Sequence, residues 1–126
     1  MVPRHGFPAG GPPRSGWGPP LAGLTVPAVL LLLRDRESHG YALRDELETS
    51  GLIADVDFGN LYRTLRRLEM AGWVVSRWEQ EGDGGGRRVY AITEDGRSAL
   101  DRLAASLREM QGALGRFLAR YQPEGG

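Results

Sequence analysis

Apolar residues in the middle of this chain recur every three to four positions, and near Trp73 that rhythm gives way to β-forming residues. Leu61, Leu65 and Leu68 fall within about 60° of one another on a wheel turning about 100° per residue, which predicts an amphipathic helix. Upstream, Thr25 is placed to cap a helix whose first turn tolerates Pro27. The run Ala28 to Leu33 is apolar on every side, so this helix is expected to be buried on most faces. Ser38 offers a second cap, Leu43 and Leu47 share a face, and Gly51 stops that helix. Gly72 ends the third helix. Trp73 to Trp78 and Arg87 to Ile92 then read as two strands joined by the Gly-rich turn Glu81 to Gly86, a β-hairpin. Thr93 caps a last helix, with Glu94 and Asp95 favourably placed in its first turn.

The last helix carries Leu100, Leu103, Leu107, Met110, Leu114, Phe117 and Tyr121, alternately three and four residues apart. A helix over 94–120 is about 40 Å long, longer than so small a domain can cover. The seam therefore predicts a homodimer. Residues 1–20 hold six Pro and five Gly, which cannot sustain a helix or a central strand, and are expected to form a disordered arm. The expected organisation is that arm, a domain over 21–93, a dimerisation helix over 94–121 and a disordered tail over 122–126. The fold class is α+β, mostly α.

Composition narrows the function. Sixteen basic residues, all Arg, balance sixteen acidic ones, which excludes a globally basic nucleic-acid scaffold but not a basic face. With no Cys, thiol catalysis and Cys-based metal sites are excluded, and His5 and His39 lack ligand-spaced partners, so no metal or cofactor is expected. Leu21 to Leu33 is too short to span a membrane and lacks a cleavage site, so a cytoplasmic location is expected. No nucleophile–base pair, acid pair or phosphate-cradling loop points to an enzyme.

Charge is concentrated where the third helix turns outward. Gly59 to Trp78 holds Arg63, Arg66, Arg67 and Arg77 against Glu69, a local charge of four minus one in a neutral chain. Arg63, Arg66, Arg67 and Asn60 all lie away from the leucine stripe. Arg reads guanine and Asn reads adenine in a major groove. Three helices, the third with a basic outer face, then a hairpin and a helix, is the order of a winged helix-turn-helix. The candidate DNA-contacting residues are Tyr41, Asn60, Tyr62, Arg63, Thr64 and Arg67, with Arg87 and Arg88 on the wing.

At these positions the chain resembles the PadR family of bacterial transcriptional regulators. The resemblance rests on His39-Gly40-Tyr41, on Leu61-Tyr62 with Leu65, Arg67, Leu68 and Glu69, on Gly72, and on Arg88-Val89-Tyr90 with Thr93, Glu94 and Gly96. It covers roughly residues 22–120. Arg63 stands where the family often has Pro, and Gly59-Asn60 where Gly is more usually followed by Thr or Ser. The single last helix is like that of the shorter subgroup. That likeness implies a homodimer, some of whose relatives take an apolar or aromatic effector at the dimer centre; the leading reading is a repressor acting on double-stranded DNA, and two-fold symmetry predicts a palindromic operator. The nearest aromatic residues for such an effector are Phe117, Tyr121 and Trp17 or Trp73. The alternative is a winged helix that binds another protein and not DNA.

Overall fold

The computed structural model describes residues 24–53, 57–80 and 85–124. The expected arm over 1–20, Trp17 and most of the hairpin turn lie outside the described residues. The chain runs α1 (Thr25–Asp35), β1 (Ser38–His39), α2 (Gly40–Ser50), α3 (Phe58–Met70), β2 (Val74–Gln80), β3 (Gly86–Ile92) and α4 (Glu94–Arg120). The strands form one antiparallel sheet in the order β1-β3-β2, with Ser76 opposite Tyr90 and Trp78 opposite Arg88.

The three leucines of the α3 stripe are buried, and α1 contributes Val29, Leu30 and Leu33 to the same core. Leu43 and Leu47 of α2, Val74, Tyr90 and Leu100 complete it. Each stop expected from glycine is present: Gly51 and Gly72 have φ of 76° and 82°, a left-handed conformation that glycine adopts without a Cβ clash.

Two caps differ from expectation. Leu24, not Thr25, stands at the α1 N-cap and supplies no side-chain bond. His39, not Ser38, caps α2, its Nδ1 accepting from the Ala42 amide at 3.4 Å. Ser38 is drawn into β1 by pairing with Tyr90. That two-residue strand has no signal of its own, because it forms only once β3 lies alongside it.

Thr93 joins three elements at one point. Its amide donates to the Trp73 carbonyl at 3.0 Å, its hydroxyl donates to the Gly72 carbonyl at 2.7 Å, and that hydroxyl accepts from the Gly96 amide at 3.0 Å. The start of α4 is thereby drawn so close to the hairpin that a Cβ at Gly96 would collide with the Trp73 carbonyl and with Ile92. Backbone cannot rotate away as a side chain can. Gly96→Ala is expected to lower stability by about 1–3 kcal/mol despite the better helix propensity of Ala, measured by urea denaturation. An unchanged midpoint would mean that this junction is loosely packed.

Candidate nucleic-acid interface

Asp57 starts α3 by accepting the Gly59 amide at 3.0 Å. With the leucine stripe turned inward, Asn60, Tyr62, Arg63, Arg66 and Arg67 are exposed. Among the described residues Arg63, Arg66 and Arg67 form no ion pair. Their charge is therefore uncompensated by a local carboxylate. Thr64 does not belong with them. It is only 7% exposed and faces the core, so its hydroxyl cannot meet a base edge. It follows Leu61 by three residues, which sets it about 60° from that leucine on the buried side of the wheel.

An aromatic group flanks this face. Tyr41, 65% exposed on α2, stacks on Phe58 at 5.0 Å between ring centres, and Phe58 meets Tyr62 edge-on at 4.7 Å. Arg44 lies 5.5 Å over the Phe58 ring. A Cβ at Gly40 would sit 2.7 Å from the Tyr62 hydroxyl, so Tyr62 reaches back to the start of α2. Tyr62 thus sets the α2–α3 geometry, while Tyr41 keeps a free outer surface. Phe58 went unnoticed in the sequence, although it directly follows the capping Asp57.

The two wing arginines are separated, because successive side chains on a strand point to opposite faces. Arg88 shares the α3 side of the hairpin with Ser76 and Trp78: its Nη1 donates to the Ser76 hydroxyl at 3.0 Å and it lies 5.9 Å over the Trp78 ring. Arg87 lies on the other face, with Nη1 3.1 Å from His39 Nε2. Arg77, counted in the local charge, lies on β2 and is paired. It makes a two-pronged pair with Glu37 at 2.9 and 2.7 Å and lies 3.5 Å from Glu79. The hydrogen bond from Arg77 holds the Glu37 carboxyl below its ordinary pKa, and Glu37 in turn raises that of Arg77. This pairing lowers the excess counted over Gly59 to Trp78 and leaves the three arginines expected on the outer face exposed.

Tyr90 lies beneath this face. Burial, with a smaller contribution from Glu69, raises the pKa of its phenol. Because the folded state holds the proton more tightly, the stability tied to it is present below the ordinary phenol pKa and lost as pH rises past the folded value. An alkaline titration followed by phenolate absorbance should show one late-ionising tyrosine, missing in Tyr90→Phe. A titration in which Tyr90→Phe removes no late-ionising phenol would contradict this burial.

The helical seam is divided. Leu100 is 6% exposed and belongs to the domain's own core, against which Leu103 also packs. Leu100 is thus unavailable to a second chain, which corrects its place in the expected dimer seam. Met110 and Leu114 are each 45% exposed, and Phe117, Leu118 and Tyr121 more so. Leu107, Met110, Leu114 and Leu118 line an open apolar groove with Leu24 and Ala104. Leu118 lies one residue off the strict repeat, which is why the heptad count passed over it. Phe117 and Tyr121 stack at 6.1 Å. Trp73 packs against the core and not beside them, so it is no candidate for the same effector site.

The profile of the transcriptional regulator PadR-like family matches residues 29–102. Among curated proteins, the transcriptional regulator Rv3488 of Mycobacterium tuberculosis is 43% identical over 76 residues, 60% of this chain and 68% of that one. Among solved structures, a PadR family transcriptional regulator from Eggerthella lenta superposes with a TM-score of 0.72 at 30% identity, covering 80% of this chain and 87% of that chain. A PadR-like transcriptional regulator from Bacillus cereus, at 22% identity and a TM-score of 0.70, covers 82% of this chain and 98% of its own and bears on the fold. Among the described residues no helix is long and apolar enough to cross a membrane.

Proposed function

This chain belongs to the PadR-like family of transcriptional regulators, not enzymes, and on that premise we propose that it represses transcription as a homodimer on a two-fold symmetric DNA operator. The observation that carries the DNA reading is the outer face of α3. Three guanidinium groups and one carboxamide project there without a carboxylate partner among the described residues. Phosphates supply affinity for such a face and base edges supply selectivity. In this reading Asn60, Arg63 and Arg67 meet base edges, Arg66, Arg88 and Tyr41 meet the backbone, and Arg87 supports the wing from its other face.

The homodimer reading rests on the far half of α4. Met110, Leu114, Phe117, Leu118 and Tyr121 extend past the domain's own core with their apolar surface exposed. A second copy of the same helix is the partner that would cover this stripe and place two α3 helices on successive turns of the groove. The groove that Leu24, Leu107 and Leu114 line suits a small apolar effector at that junction.

Selection from a pool of randomised duplexes tests the proposal. Enrichment of a dyad-symmetric site, its halves about one helical turn or a multiple apart, is expected. Failure to enrich any sequence, together with salt-insensitive binding, would favour a winged helix that docks on protein.

A further inference from the structure

We propose that Ser76 is a positioning residue for DNA binding, its hydroxyl holding the Arg88 guanidinium in the notch between α3 and the hairpin. The inference rests on the reading of Arg88 as a phosphate contact. Ser76 Oγ donates to Glu69 Oε2 of α3 at 2.5 Å and accepts from Arg88 Nη1 of β3 at 3.0 Å. The polarity of this chain follows from its parts. A carboxylate only accepts and a guanidinium only donates, so the group between them must do both, and a hydroxyl does. Three elements are joined: the helix with the basic face, the edge strand β2 and the central strand β3.

The spacer has a consequence for charge. Without it, Glu69 could take Arg88 directly in a two-pronged pair, which would neutralise the guanidinium and turn it toward the helix. With the hydroxyl interposed, one of the five N–H groups is used and the others remain for an outside acceptor. Trp78 supports the same group from beside it, with the Arg88 guanidinium carbon 5.9 Å from its ring centre. Trp78 is itself seated over Gly86, where a Cβ would collide with the indole. A phosphodiester oxygen pair is the acceptor chemistry that such a fixed, exposed guanidinium fits.

The test is titration of the full chain with a duplex taken from the randomised selection and a scrambled duplex of equal length, at several salt concentrations. Ser76→Ala and Arg88→Ala should each weaken binding to both duplexes about tenfold, the size of one charge-assisted hydrogen bond. Each should also reduce the log–log salt slope by about 0.9. The double variant should be no weaker than Arg88→Ala alone, because Ser76 acts through Arg88. Ser76→Thr, which keeps the hydroxyl and suits a strand, should keep the unmodified slope. Wild-type slope in Ser76→Ala alongside a reduced slope in Arg88→Ala would overturn the positioning role, as would additive losses in the double variant. If Arg88→Ala changes nothing while Arg67→Ala still loses base preference, this inference falls and the DNA reading stands. If neither changes anything, the DNA reading falls as well.

Discussion

Arg67→Ala and Arg63→Ala are each expected to weaken binding to the selected operator by about 1–3 kcal/mol and to relax preference at one position in each half-site. Both side chains leave the outer face of α3 with no ion pair among the described residues, so removing one breaks no ion pair. Thermal stability should therefore stay near that of the unmodified protein, which separates lost recognition from lost folding. Binding to a scrambled duplex should fall much less, since a base contact contributes little where the base is wrong. Thr64→Val serves as the contrast. It replaces a residue 7% exposed on the inner side of the same helix, so any effect should appear in stability and not in base preference. Titration of the variants against selected and scrambled duplexes decides the matter. If Arg63→Ala and Arg67→Ala both bind the two duplexes as the unmodified chain does, the face is ordinary surface charge.

Leu114→Asp is expected to convert the proposed dimer to monomer. Leu114 is half-exposed on the stretch of α4 that extends past the core, so within one chain the substitution should be tolerated. In a dimer it removes two leucines from the interface. At about 1.5–3 kcal/mol for each buried leucine, the pair corresponds to roughly a 10²- to 10⁴-fold rise in the dimer dissociation constant. Sedimentation at micromolar concentration should show one species of half the mass, with the helical content of the domain retained. Operator affinity should fall with it, because each monomer then reaches only one half-site. An unmodified chain that sediments as a monomer would remove the dimer and the palindrome together. Leu100→Asp would be a poor version of this test, since Leu100 is core and its variant should unfold the domain.

A good deal of this molecule could be read without any structure. The leucine stripe of α3 follows from helical periodicity, and that stripe alone decides which arginines face outward. Gly51 and Gly72 stop their helices because their left-handed φ values suit a residue without a Cβ. Thr93 caps α4 through a bond to an amide three residues on, which is local chemistry. The hairpin follows from β-forming residues about a glycine-rich turn. The inward side of Thr64 and the opposite faces of Arg87 and Arg88 were also legible, in the wheel and in strand alternation.

What only the tertiary structure decided involves residues far apart in the chain. Arg77 reaches Glu37 across forty positions, so part of the local charge counted over Gly59 to Trp78 is compensated. Two residues at Ser38 become a strand because β3 arrives beside them, and His39 then takes the cap that the sequence assigns to Ser38. The repeat on α4 is uniform from Leu100 to Tyr121, yet its start is core and its end is bare. Periodicity sets which face of a helix is apolar; how far along that face the rest of the chain extends is set by packing. The chain of Glu69, Ser76 and Arg88 has the same origin, since each residue is an ordinary surface group until three elements meet. Local signals follow from backbone stereochemistry and side-chain period, which act over a few residues. Contacts over longer separations form only once the core has excluded the alternatives.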